Sequence, residues 1–376
     1  MRIAHVVTYV SEDGAFGGPV AVAVAQTAEL ARRGHQVELL AGWDGKAQLA
    51  VPGVAVRLFP VSALPVGGFS GLRAPELARR LLPRAGSLDA VHLHLARDLI
   101  TLPLAARLAR SGRPFIVQPH GMVMPDARPK TRLFDAVWTK RTLRAASTAF
   151  ALTDREEAGL AAVGGDGVRV ERIANGIDAR PTADAARDAA HPEVLFLARL
   201  HPRKRVMAFA RAAALLAERG SPARFTVVGP DEGDLAELQR FIAEHPAVPL
   251  RYEGAISQGA ARGRIAQASV YVLPSFGEVF PMTVLEALSA GTPVVLTSDC
   301  GIADELAQRG AGHVTDGSPG ELADAVSALL SDASAWSAAV AAGSASITEV
   351  FGIGAVADRL EAAYADAGAR VALAVR

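Results

Sequence analysis

Short apolar segments alternate with longer segments of helix-forming composition along almost the whole chain. The short segments are rich in valine, leucine, isoleucine and phenylalanine, which is typical of buried parallel strands, and they predict strands near residues 2–7, 36–41, 54–58, 89–93, 114–118, 148–152, 168–173, 193–199, 224–229, 248–252, 270–273 and 293–297. The longer segments predict helices near residues 19–33, 100–110, 131–146, 154–162, 203–219, 232–244, 257–266, 282–290, 319–330, 333–347 and 353–368. Strands that alternate with helices in this way predict an α/β fold built on parallel sheets.

The length and one polar segment predict two domains. A chain of 376 residues is too long for one ordinary hydrophobic core and suits two domains of about 180 residues each. Residues 178–192 are polar and alanine-rich and have no periodic apolar face, so they are the best candidate linker. We therefore expect a first Rossmann-like domain over residues 1–180 and a second over residues 190–350.

The composition excludes several classes of function. Lys+Arg and Asp+Glu both number 39, so the net charge gives no reason to expect a nucleic-acid partner. The single cysteine, Cys300, excludes an internal disulfide and a structural zinc site built from several thiolates. No apolar run reaches the length of a membrane span, and the first residues do not form a signal-peptide pattern, so we expect a cytoplasmic protein.

The segment 270–296 has the most informative pattern in the chain. Residues 270–273 predict a strand and residues 282–290 a helix, so Glu278 lies in the loop after a strand, where open parallel sheets bind ligands, and Glu286 lies inside the helix. Two carboxylates at this separation can hold hydroxyl groups at both ends of a ligand whose phosphates lie over the helix N-terminus. The pattern indicates a sugar-nucleotide site; the simpler alternative is two solvated surface glutamates.

The strand, loop and helix around these glutamates resemble the Glu-x7-Glu motif of retaining glycosyltransferases of the GT-B fold, in particular family 4. The resemblance implies that Glu278 contacts the transferred sugar, that Glu286 holds the ribose hydroxyls, and that amides at the helix start face the diphosphate. The donor-binding residues at this helix start would be Phe280, Pro281, Met282 and Thr283. It also implies two Rossmann-like domains facing each other across a cleft, with the last helix, from about residue 350, packed on the first domain. Val279 stands where the family usually has glycine.

A basic loop after the strand at 193–199 supplies candidate phosphate ligands. Arg199 and Lys204 match the family pattern of Gly-Arg-Leu followed by a lysine, with Ala198 in place of the glycine. Guanidinium and ammonium groups at a strand's carboxyl end suit a diphosphate, and the resemblance implies that they stabilise the departing nucleoside diphosphate. The alternative is a solvated basic loop. No Asp-x-Asp motif lies in a suitable loop, so we expect a metal-independent enzyme without a cofactor.

The Gly17-Gly18-Pro19 turn lies between the first strand and the first helix. Two glycines followed by proline predict a helix N-terminus that a ligand can approach closely. In the family such a turn lies beside the donor diphosphate and the acceptor, which implies the same place for Gly17 and Gly18. An ordinary flexible loop is the alternative.

Histidines mark the ends of two predicted strands in the first half. His120 and Gly121 follow the strand at 114–118, and the family places a His-Gly or Arg-Gly pair near the reacting sugar and the acceptor. We therefore assign His120 a catalytic contact with substrate, and a structural hydrogen-bonding role is the alternative. His92 and His94 alternate along one strand and therefore lie on the same face. His94 matches a frequent family histidine; a role in the core and a role in the acceptor pocket both stay open. Zinc binding by this pair lacks a third ligand.

The segment 128–144 predicts an amphipathic cationic helix. Apolar and basic side chains separate onto two faces of it. The simpler interpretation is that it packs on its own domain and exposes a basic rim. The alternative is peripheral contact with anionic lipid or with a phosphorylated, lipid-linked acceptor.

Together these patterns and the resemblance predict a glycosyltransferase that moves a hexose from a nucleotide-sugar donor to a hydroxyl of a glycan, lipid-linked or small-molecule acceptor. The resemblance alone implies that the configuration is retained. Two alternatives keep the sugar-nucleotide site. One is an epimerase or phosphorylase of the same fold, for which we find neither acid/base residues nor a pyridoxal-phosphate lysine. The other is a non-catalytic sugar-nucleotide-binding protein, which the intact arginine, lysine and glutamate positions disfavour.

Overall fold

The computed structural model describes residues 1–12, 17–64, 68–178 and 191–374. The chain divides into two compact units. Unit 1 consists of Met1–Gly176 and Ile353–Arg376, and unit 2 consists of Ile177–Gly352. Most of the predicted linker, residues 179–190, lies outside the described residues.

Unit 1 is built on a parallel sheet of seven strands. The strands of this sheet are β1 (Arg2–Val10), β2 (Gln36–Trp43), β3 (Val54–Pro60), β6 (Ala90–His94), β7 (Ile116–Gln118), β8 (Thr148–Ala151) and β9 (Val170–Arg172). Their order in space is β3-β2-β1-β6-β7-β8-β9, so the direction of winding reverses between β1 and β6. Ile3 of β1 lies beside Val37 of β2 and Ala90 of β6. A separate antiparallel pair is formed by β4 (Ser62–Ala63) and β5 (Leu72–Arg73).

Seven helices pack around this sheet. They are α1 (Gly17–Arg32), α2 (Pro75–Leu81), α3 (Thr101–Arg110), α4 (Pro129–Phe134), α5 (Lys140–Ala145), α6 (Asp154–Gly164) and α14 (Ile353–Ala374). A π-helical turn, Asp135–Thr139, joins α4 to α5, so the predicted helix at 131–146 is one helical segment with an expanded turn in its middle.

The C-terminal helix α14 is part of unit 1. Its apolar face, including Val356 and Leu360, is fully buried. Arg33 at the end of α1 donates to Asp358 (2.6 Å) and Glu361 (3.1 Å), and His35 Nε2 lies 2.7 Å from Glu361 Oε1. These polar contacts fix the position of the helix along the surface of unit 1.

Unit 2 repeats the architecture with a six-stranded parallel sheet. Its strands are β10 (Glu193–Leu197), β11 (Arg224–Val228), β12 (Leu250–Tyr252), β13 (Val270–Leu273), β14 (Val294–Thr297) and β15 (Gly312–Thr315), in the spatial order β12-β11-β10-β13-β14-β15. Its helices are α7 (Val206–Glu218), α8 (Leu235–Glu244), α9 (Gln258–Ala266), α10 (Met282–Ser289), α11 (Ala303–Gln308), α12 (Pro319–Ser331) and α13 (Ala333–Ser346). The winding reverses between β10 and β13.

The predicted α/β fold with parallel sheets is confirmed, and the elements that the sequence pattern missed are short. The pattern did not predict α2, α11, β15 or the antiparallel pair β4 and β5. The two helices have six or seven residues, and three of the four residues of β15 are only half-buried, so none of these elements has a long apolar run. Only the surrounding packing selects their conformation.

No single helix in the described ranges is long and apolar enough to cross a membrane. Pro319–Ser331 and Ala333–Phe351 satisfy the length and composition together, but they are bent by 101° relative to each other. Leu322, Val326 and Leu329 of α12 are buried in the hydrophobic core of unit 2.

Candidate functional site

The points where strand order reverses carry most of the predicted site residues. In unit 2, Arg199 and Lys204 follow β10 and Glu278 follows β13, the two strands that flank the reversal. In unit 1, Gly18 follows β1 and His94 ends β6, which flank the other reversal. Loops at such a point diverge in opposite directions and leave a crevice at the carboxyl ends of the strands, where parallel sheets bind ligands.

Lys204 and Glu278 form an ion pair in unit 2. Lys204 Nζ donates to Glu278 Oε1 at 2.6 Å, and the two side chains are only 16% and 15% exposed. The residues are 74 positions apart in sequence, and the fold joins them by placing β10 beside β13. A cation and a carboxylate are therefore present together, the first suited to a phosphate and the second to a sugar hydroxyl.

Backbone contacts hold the basic loop against the acidic loop. Phe276 N donates to Arg203 O at 2.9 Å, and Arg203 Nη2 donates to Gly277 O at 2.8 Å. The Arg205 guanidinium lies over the Phe276 ring, 4.3 Å from its centroid. Gly301 N donates to Glu278 O at 2.7 Å, which fixes the backbone that carries the glutamate. Neither Arg203 nor Arg205 was predicted as a site residue, and the structure uses both to join the loops.

Arg199 lies apart from this pair. Its guanidinium donates to both carboxylate oxygens of Glu232, at 2.7 and 2.8 Å, and its side chain is 62% exposed. The two predicted phosphate ligands thus contact different carboxylates in this structure. Because an exposed ion pair contributes about 0–1 kcal/mol, Arg199 can leave Glu232 at little cost.

Glu286 is half-buried on α10, and burial raises its pKa while Arg262 opposes the rise. Glu278 and Glu286 both raise the pKa of the buried Tyr271 hydroxyl, after the larger effect of burial. Both carboxylates therefore act on the same tyrosine. Along the chain, Glu278 precedes α10 and Glu286 lies within it. Tyr271 was not predicted as a site residue; it reads as part of an apolar strand in the sequence.

The start of α10 offers backbone rather than side-chain groups. Pro281, the residue before the helix, has no side-chain group to cap it. The Tyr271 hydroxyl lies 3.0 Å from Leu197 O and 2.8 Å from Thr283 Oγ1. Because a carbonyl can only accept, Tyr271 donates to Leu197 and the Thr283 hydroxyl donates to Tyr271. The Thr283 side chain therefore has no hydrogen left for a phosphate.

Of the other residues predicted at this helix start, the Phe280 ring packs against the Phe351 ring, with centroids 6.1 Å apart. Pro281 is buried, and Met282 is half-buried as the first residue of the helix. The phosphate-binding capacity of this segment lies in its main chain and in the helix dipole.

In unit 1 the helix α1 begins at Gly17, which corrects the prediction that the Gly-Gly turn precedes the helix. Pro19 is therefore the third helical residue. Proline fits there because the first residues of a helix have no intrahelical acceptor for their N–H groups. Gly18 and Met122 line one small cavity of about 150 Å³ together with residues of β1. The structure thus brings the glycine turn and the loop after His120 to one place.

His120 has an unusual backbone conformation. Its φ is +54°, in the left-handed region, and Gly121 follows with φ +76°. A non-glycine residue in that region costs about 1–3 kcal/mol, so neighbouring contacts must hold it. One is Glu156 Oε1, which accepts from Gly121 N at 2.5 Å; the other is His94 Nδ1, which lies 2.8 Å from His120 Nε2. Burial lowers the pKa of His120 to about 4, so the ring is neutral near pH 7.

Glu156 was missed although the sequence contains a signal for it. Thr153-Asp-Arg-Glu156 is a capping-box pattern at the start of α6, and the Thr153 hydroxyl does accept from Glu156 N at 3.1 Å. The carboxylate, however, accepts from Leu152 N (2.8 Å) and Gly121 N instead of the capping position. Burial raises the pKa of Glu156. It supports the loop that carries His120.

A groove of about 520 Å³ in unit 1 lies beside the predicted basic helix. Apolar side chains of the segment before α3, of α3 itself and of the π-helical turn form its wall, among them Leu99, Leu104 and Trp138. Arg73 and Arg107 also line it, and no carboxylate in the described ranges pairs with either. An apolar wall with two cations suits an anionic amphiphile.

The basic helix exposes apolar side chains next to that groove. Leu133 is 62% and Val137 48% exposed, whereas Phe134 and Thr139 are buried. Arg97 connects this helix to the loop after His120, because it binds Asp135 at 2.8 Å and donates to Met124 O at 2.9 Å. The helix therefore packs on its own unit, as the simpler interpretation predicted, but it also leaves an apolar stripe among its cations.

No group of three or more His, Cys, Asp or Glu side chains that could hold a metal ion occurs among the residues that the structure describes. Metal independence stays a prediction.

Comparisons with known proteins identify the family of this chain. The model described as Glycosyl transferase 4-like domain matches residues 17–176, and the model described as Glycosyl transferases group 1 matches residues 191–332. The D-inositol 3-phosphate glycosyltransferase of Nocardia farcinica is 30% identical over 368 residues, covering 84% of this chain and 77% of that protein. The chain belongs to the glycosyl transferases group 1 family. The phosphatidyl-myo-inositol mannosyltransferase of Mycobacterium leprae is 28% identical to this glycosyltransferase over 332 residues, covering 83% of the chain and 84% of the relative.

A solved structure has the same fold. Anabaena Alr3699/HepE in complex with UDP matches 96% of this glycosyltransferase and 99% of its own chain, with a TM-score of 0.72 and 18% sequence identity. The glycosyl transferases group 1 family, the GT-B fold and the glycosyltransferase class are therefore confirmed. Retention of configuration and membership of family 4 stay predictions. The roles of the individual site residues stay predictions.

Proposed function

We propose that this glycosyltransferase transfers a hexose, with retention of configuration and without a metal ion, from a nucleoside diphosphate sugar to a hydroxyl of a phosphorylated glycolipid acceptor. The observation that carries the donor half is the Lys204–Glu278 ion pair at the reversal point of the unit 2 sheet, next to the start of α10. In the family resemblance these positions face the diphosphate and the transferred sugar.

The residues of unit 2 suit the parts of such a donor in order. Glu286 accepts from the ribose hydroxyls, the amides at the start of α10 and the Lys204 ammonium bind the diphosphate, and Glu278 accepts from a sugar hydroxyl. Arg199 adds a second cation after it leaves Glu232. The UDP in the HepE complex supports a uridine diphosphate sugar as the donor of this enzyme.

In the proposed reaction the bond from C1 of the sugar to the phosphate oxygen breaks, and a bond from C1 to the acceptor oxygen forms on the same face. The acceptor proton goes to the departing phosphate oxygen. Lys204 and Arg199 stabilise the negative charge that develops on the leaving diphosphate, and such charge stabilisation is commonly the largest catalytic contribution. Cations from the protein take the role that a magnesium ion has in other nucleotide-sugar enzymes.

The acceptor half rests on the groove of unit 1. The Nocardia farcinica and Mycobacterium leprae relatives are both named for an inositol that carries a phosphate or a phosphatidyl group. Arg73 and Arg107 suit the phosphate of such an acceptor, and the apolar wall with Leu99 and Leu104 suits its aliphatic part. We propose that the enzyme works at the surface of a membrane, which it contacts through the exposed Leu133 and Val137 and the surrounding cations.

The donor is tested by thermal unfolding with UDP-, GDP-, ADP- and dTDP-sugars. A ligand that binds only the folded protein at about 100 times its Kd stabilises it by about 2.7 kcal/mol, so the matching donor should raise the Tm by several degrees. The selected donor should then label a phosphorylated lipid acceptor in the presence of EDTA, with the anomer assigned by NMR. No stabilisation by any sugar nucleotide, an inverted product or loss of activity in EDTA would each contradict a stated part of the proposal.

Membrane contact is tested by sedimentation with vesicles that contain or lack phosphatidylglycerol. The enzyme should bind the anionic vesicles, and the Leu133→Asp/Val137→Asp variant should bind about tenfold more weakly, because its apolar stripe no longer enters the interface. Ile256→Asp is the matched control, since Ile256 is an exposed apolar residue of unit 2. Equal binding by the double variant and the control would exclude this helix as the contact.

A further inference from the structure

A hydrogen-bonded network of four histidines and one tyrosine crosses unit 1; we refer to it as the histidine network. It connects the loop after β7 to the C-terminal helix α14 through neighbouring strands. The distances are 2.8 Å from His120 Nε2 to His94 Nδ1, 3.1 Å from His94 Nε2 to His5 Nδ1, 3.0 Å from His5 Nε2 to the Tyr364 hydroxyl, and 2.7 Å from that hydroxyl to His92 Nδ1. The rings of His92 and His94 stack, with centroids 4.8 Å apart.

Every ring of the network is neutral near pH 7. Burial lowers the pKa of His5 to about 3 and that of His120 to about 4, and it holds the pKa values of His92 and His94 well below their usual range. Burial also raises the pKa of Tyr364, which keeps its hydroxyl protonated. A neutral imidazole carries one hydrogen on one of its two nitrogens, so each ring donates from one side and accepts on the other.

The polar groups around the histidine network do not keep any of its imidazole rings protonated. Among the charged groups of the described residues, only the other histidines of the network, when they are protonated, lower these pKa values. The remaining polar effects come from the amides of Gln118 on β7 and Asn175 after β9. No carboxylate, lysine or arginine in the described ranges shifts the pKa of any of the four rings. Glu156 of α6 binds the backbone N–H of Gly121, not an imidazole.

Each imidazole donates through one nitrogen and accepts through the other. The buried Tyr364 hydroxyl donates to one of its two histidine neighbours and accepts from the other, so all the hydrogens point the same way along the network. The environment of His92, at the end of the network away from His120, decides this direction. Among the described residues, His92 Nε2 is buried and lacks a hydrogen-bond partner, and so does the nearby Gln118 Nε2, whose N–H groups can only donate. A buried N–H without an acceptor is rarer in proteins than an unsatisfied acceptor. His92 therefore carries its hydrogen on Nδ1 and donates to the Tyr364 oxygen.

The remaining hydrogens follow from that choice. Tyr364 donates to His5 Nε2, His5 Nδ1 donates to His94 Nε2, and His94 Nδ1 donates to His120 Nε2. His120 is then left with its hydrogen on Nδ1.

We propose that Tyr364 of the C-terminal helix is a positioning residue that sets the tautomer of His120 through His5 and His94, so that His120 has Nδ1–H as its donor. The C-terminal helix then acts on the predicted substrate loop without contacting substrate. The effect on catalysis rests on the proposed contact of His120 with substrate; the tautomer itself does not.

The tautomer is measured directly in the unaltered enzyme. Histidine labelled with ¹⁵N distinguishes a protonated from an unprotonated ring nitrogen by its chemical shift, and a His120→Asn variant assigns the signals. We expect a protonated Nδ1 and an unprotonated Nε2 in His120. The opposite assignment would overturn the proposal, whatever the activity of the enzyme.

Tyr364→Phe removes only the hydroxyl that joins His5 to His92. The ¹⁵N shifts of His120 should move toward values averaged over two tautomers, and kcat should fall by about five- to tenfold with the donor KM within about twofold. Glu361→Gln is the matched control, because it weakens the contact of the same helix with Arg33 and His35 outside the network. It should lower the Tm and leave the His120 shifts unchanged. Unchanged His120 shifts in Tyr364→Phe, or equal changes in both variants, would show that the helix only stabilises unit 1. A changed tautomer with a normal kcat would support the role of the network and would contradict the proposed contact of His120 with substrate.

Discussion

Replacing Lys204 by methionine or Glu278 by glutamine should each lower the transfer rate by about a thousandfold, the effect of removing one charge-stabilising group from an active site. The physical reason is the position of the pair. Lys204 Nζ and Glu278 Oε1 are 2.6 Å apart at the start of α10, where the diphosphate and the sugar of the donor are proposed to meet. The rate is measured as release of nucleoside diphosphate with acceptor present, and donor binding is measured separately by calorimetry.

Breaking the pair also leaves one side chain without its partner, so stability must be measured with activity. The Lys204→Met/Glu278→Gln double variant removes both charges and should be more stable than either single variant, because no unpaired charge remains in a partly buried place. Its activity should be no lower than that of the worse single variant, since residues that act together are not additive. Arg219→Met/Asp324→Asn is the control, because this pair, at 2.6 Å, is exposed on the same unit. The proposed mechanism would be contradicted if both single variants still bound the donor and kept more than a tenth of the original rate.

Unit 1 should lose stability steeply as the pH falls below about 6.5, the ordinary pKa of histidine. Between that pH and the lowered pKa values of about 3 for His5 and about 4 for His120, each unfolded ring binds a proton that the folded ring does not. The free energy of unfolding therefore decreases by about 1.4 kcal/mol per pH unit for each ring that stays neutral. Domains are stabilised by about 5–15 kcal/mol in total. We therefore expect this loss of free energy to unfold unit 1 before the pH has fallen to about 4.

Two buried carboxylates act in the opposite direction. Burial raises the pKa values of Asp98 and Glu156, so their contribution is present at low pH and is lost as the pH rises through the carboxyl range. On acidification the two carboxylates add stability and the four histidine rings remove it. Because the rings outnumber the carboxylates, the net effect is a loss of stability.

Urea unfolding of a Trp336→Phe variant measures this effect in unit 1 alone, because the remaining tryptophans, Trp43 and Trp138, both lie in that unit. Between about pH 7.5 and about pH 4.5, the slope of the unfolding free energy should correspond to the uptake of several protons. His92→Phe should reduce the slope by about one proton. A slope of zero, or one that His92→Phe does not change, would contradict the neutral network.

The donor side of the site could be predicted from the sequence because its signal is local. Glu278 and Glu286 lie on one strand-loop-helix segment whose spacing already places them on two sides of a helix start. Lys204 follows a strand in the same way, and parallel strands with alternating helices have only a few arrangements. The ion pair that the structure shows between Lys204 and Glu278 is the result of those two local patterns and one strand pairing.

The histidine network could not be predicted because its members are far apart in the chain. His92 and His94 were visible as an alternating pair, but His5 and Tyr364 look like ordinary members of a strand and a helix. The same is true of the groove, which is formed by residues of β4, β5, α2, α3 and the π-helical turn. Arg199 shows the converse: its motif is local, yet its partner in the structure, Glu232, follows a different strand.

The order of apolar strands and helices by itself determined the α/β class of this protein, and short motifs at the ends of strands determined the family resemblance. Local patterns are sufficient for these because strand and helix formation depend mainly on neighbouring side chains. Only the tertiary structure decided which carboxylate binds Lys204, how His120 is held in a left-handed conformation, and that a tyrosine of the last helix reaches the first strand. Those outcomes depend on strand order and on burial, which raise or lower the cost of each charge and each hydrogen bond after distant segments have come together.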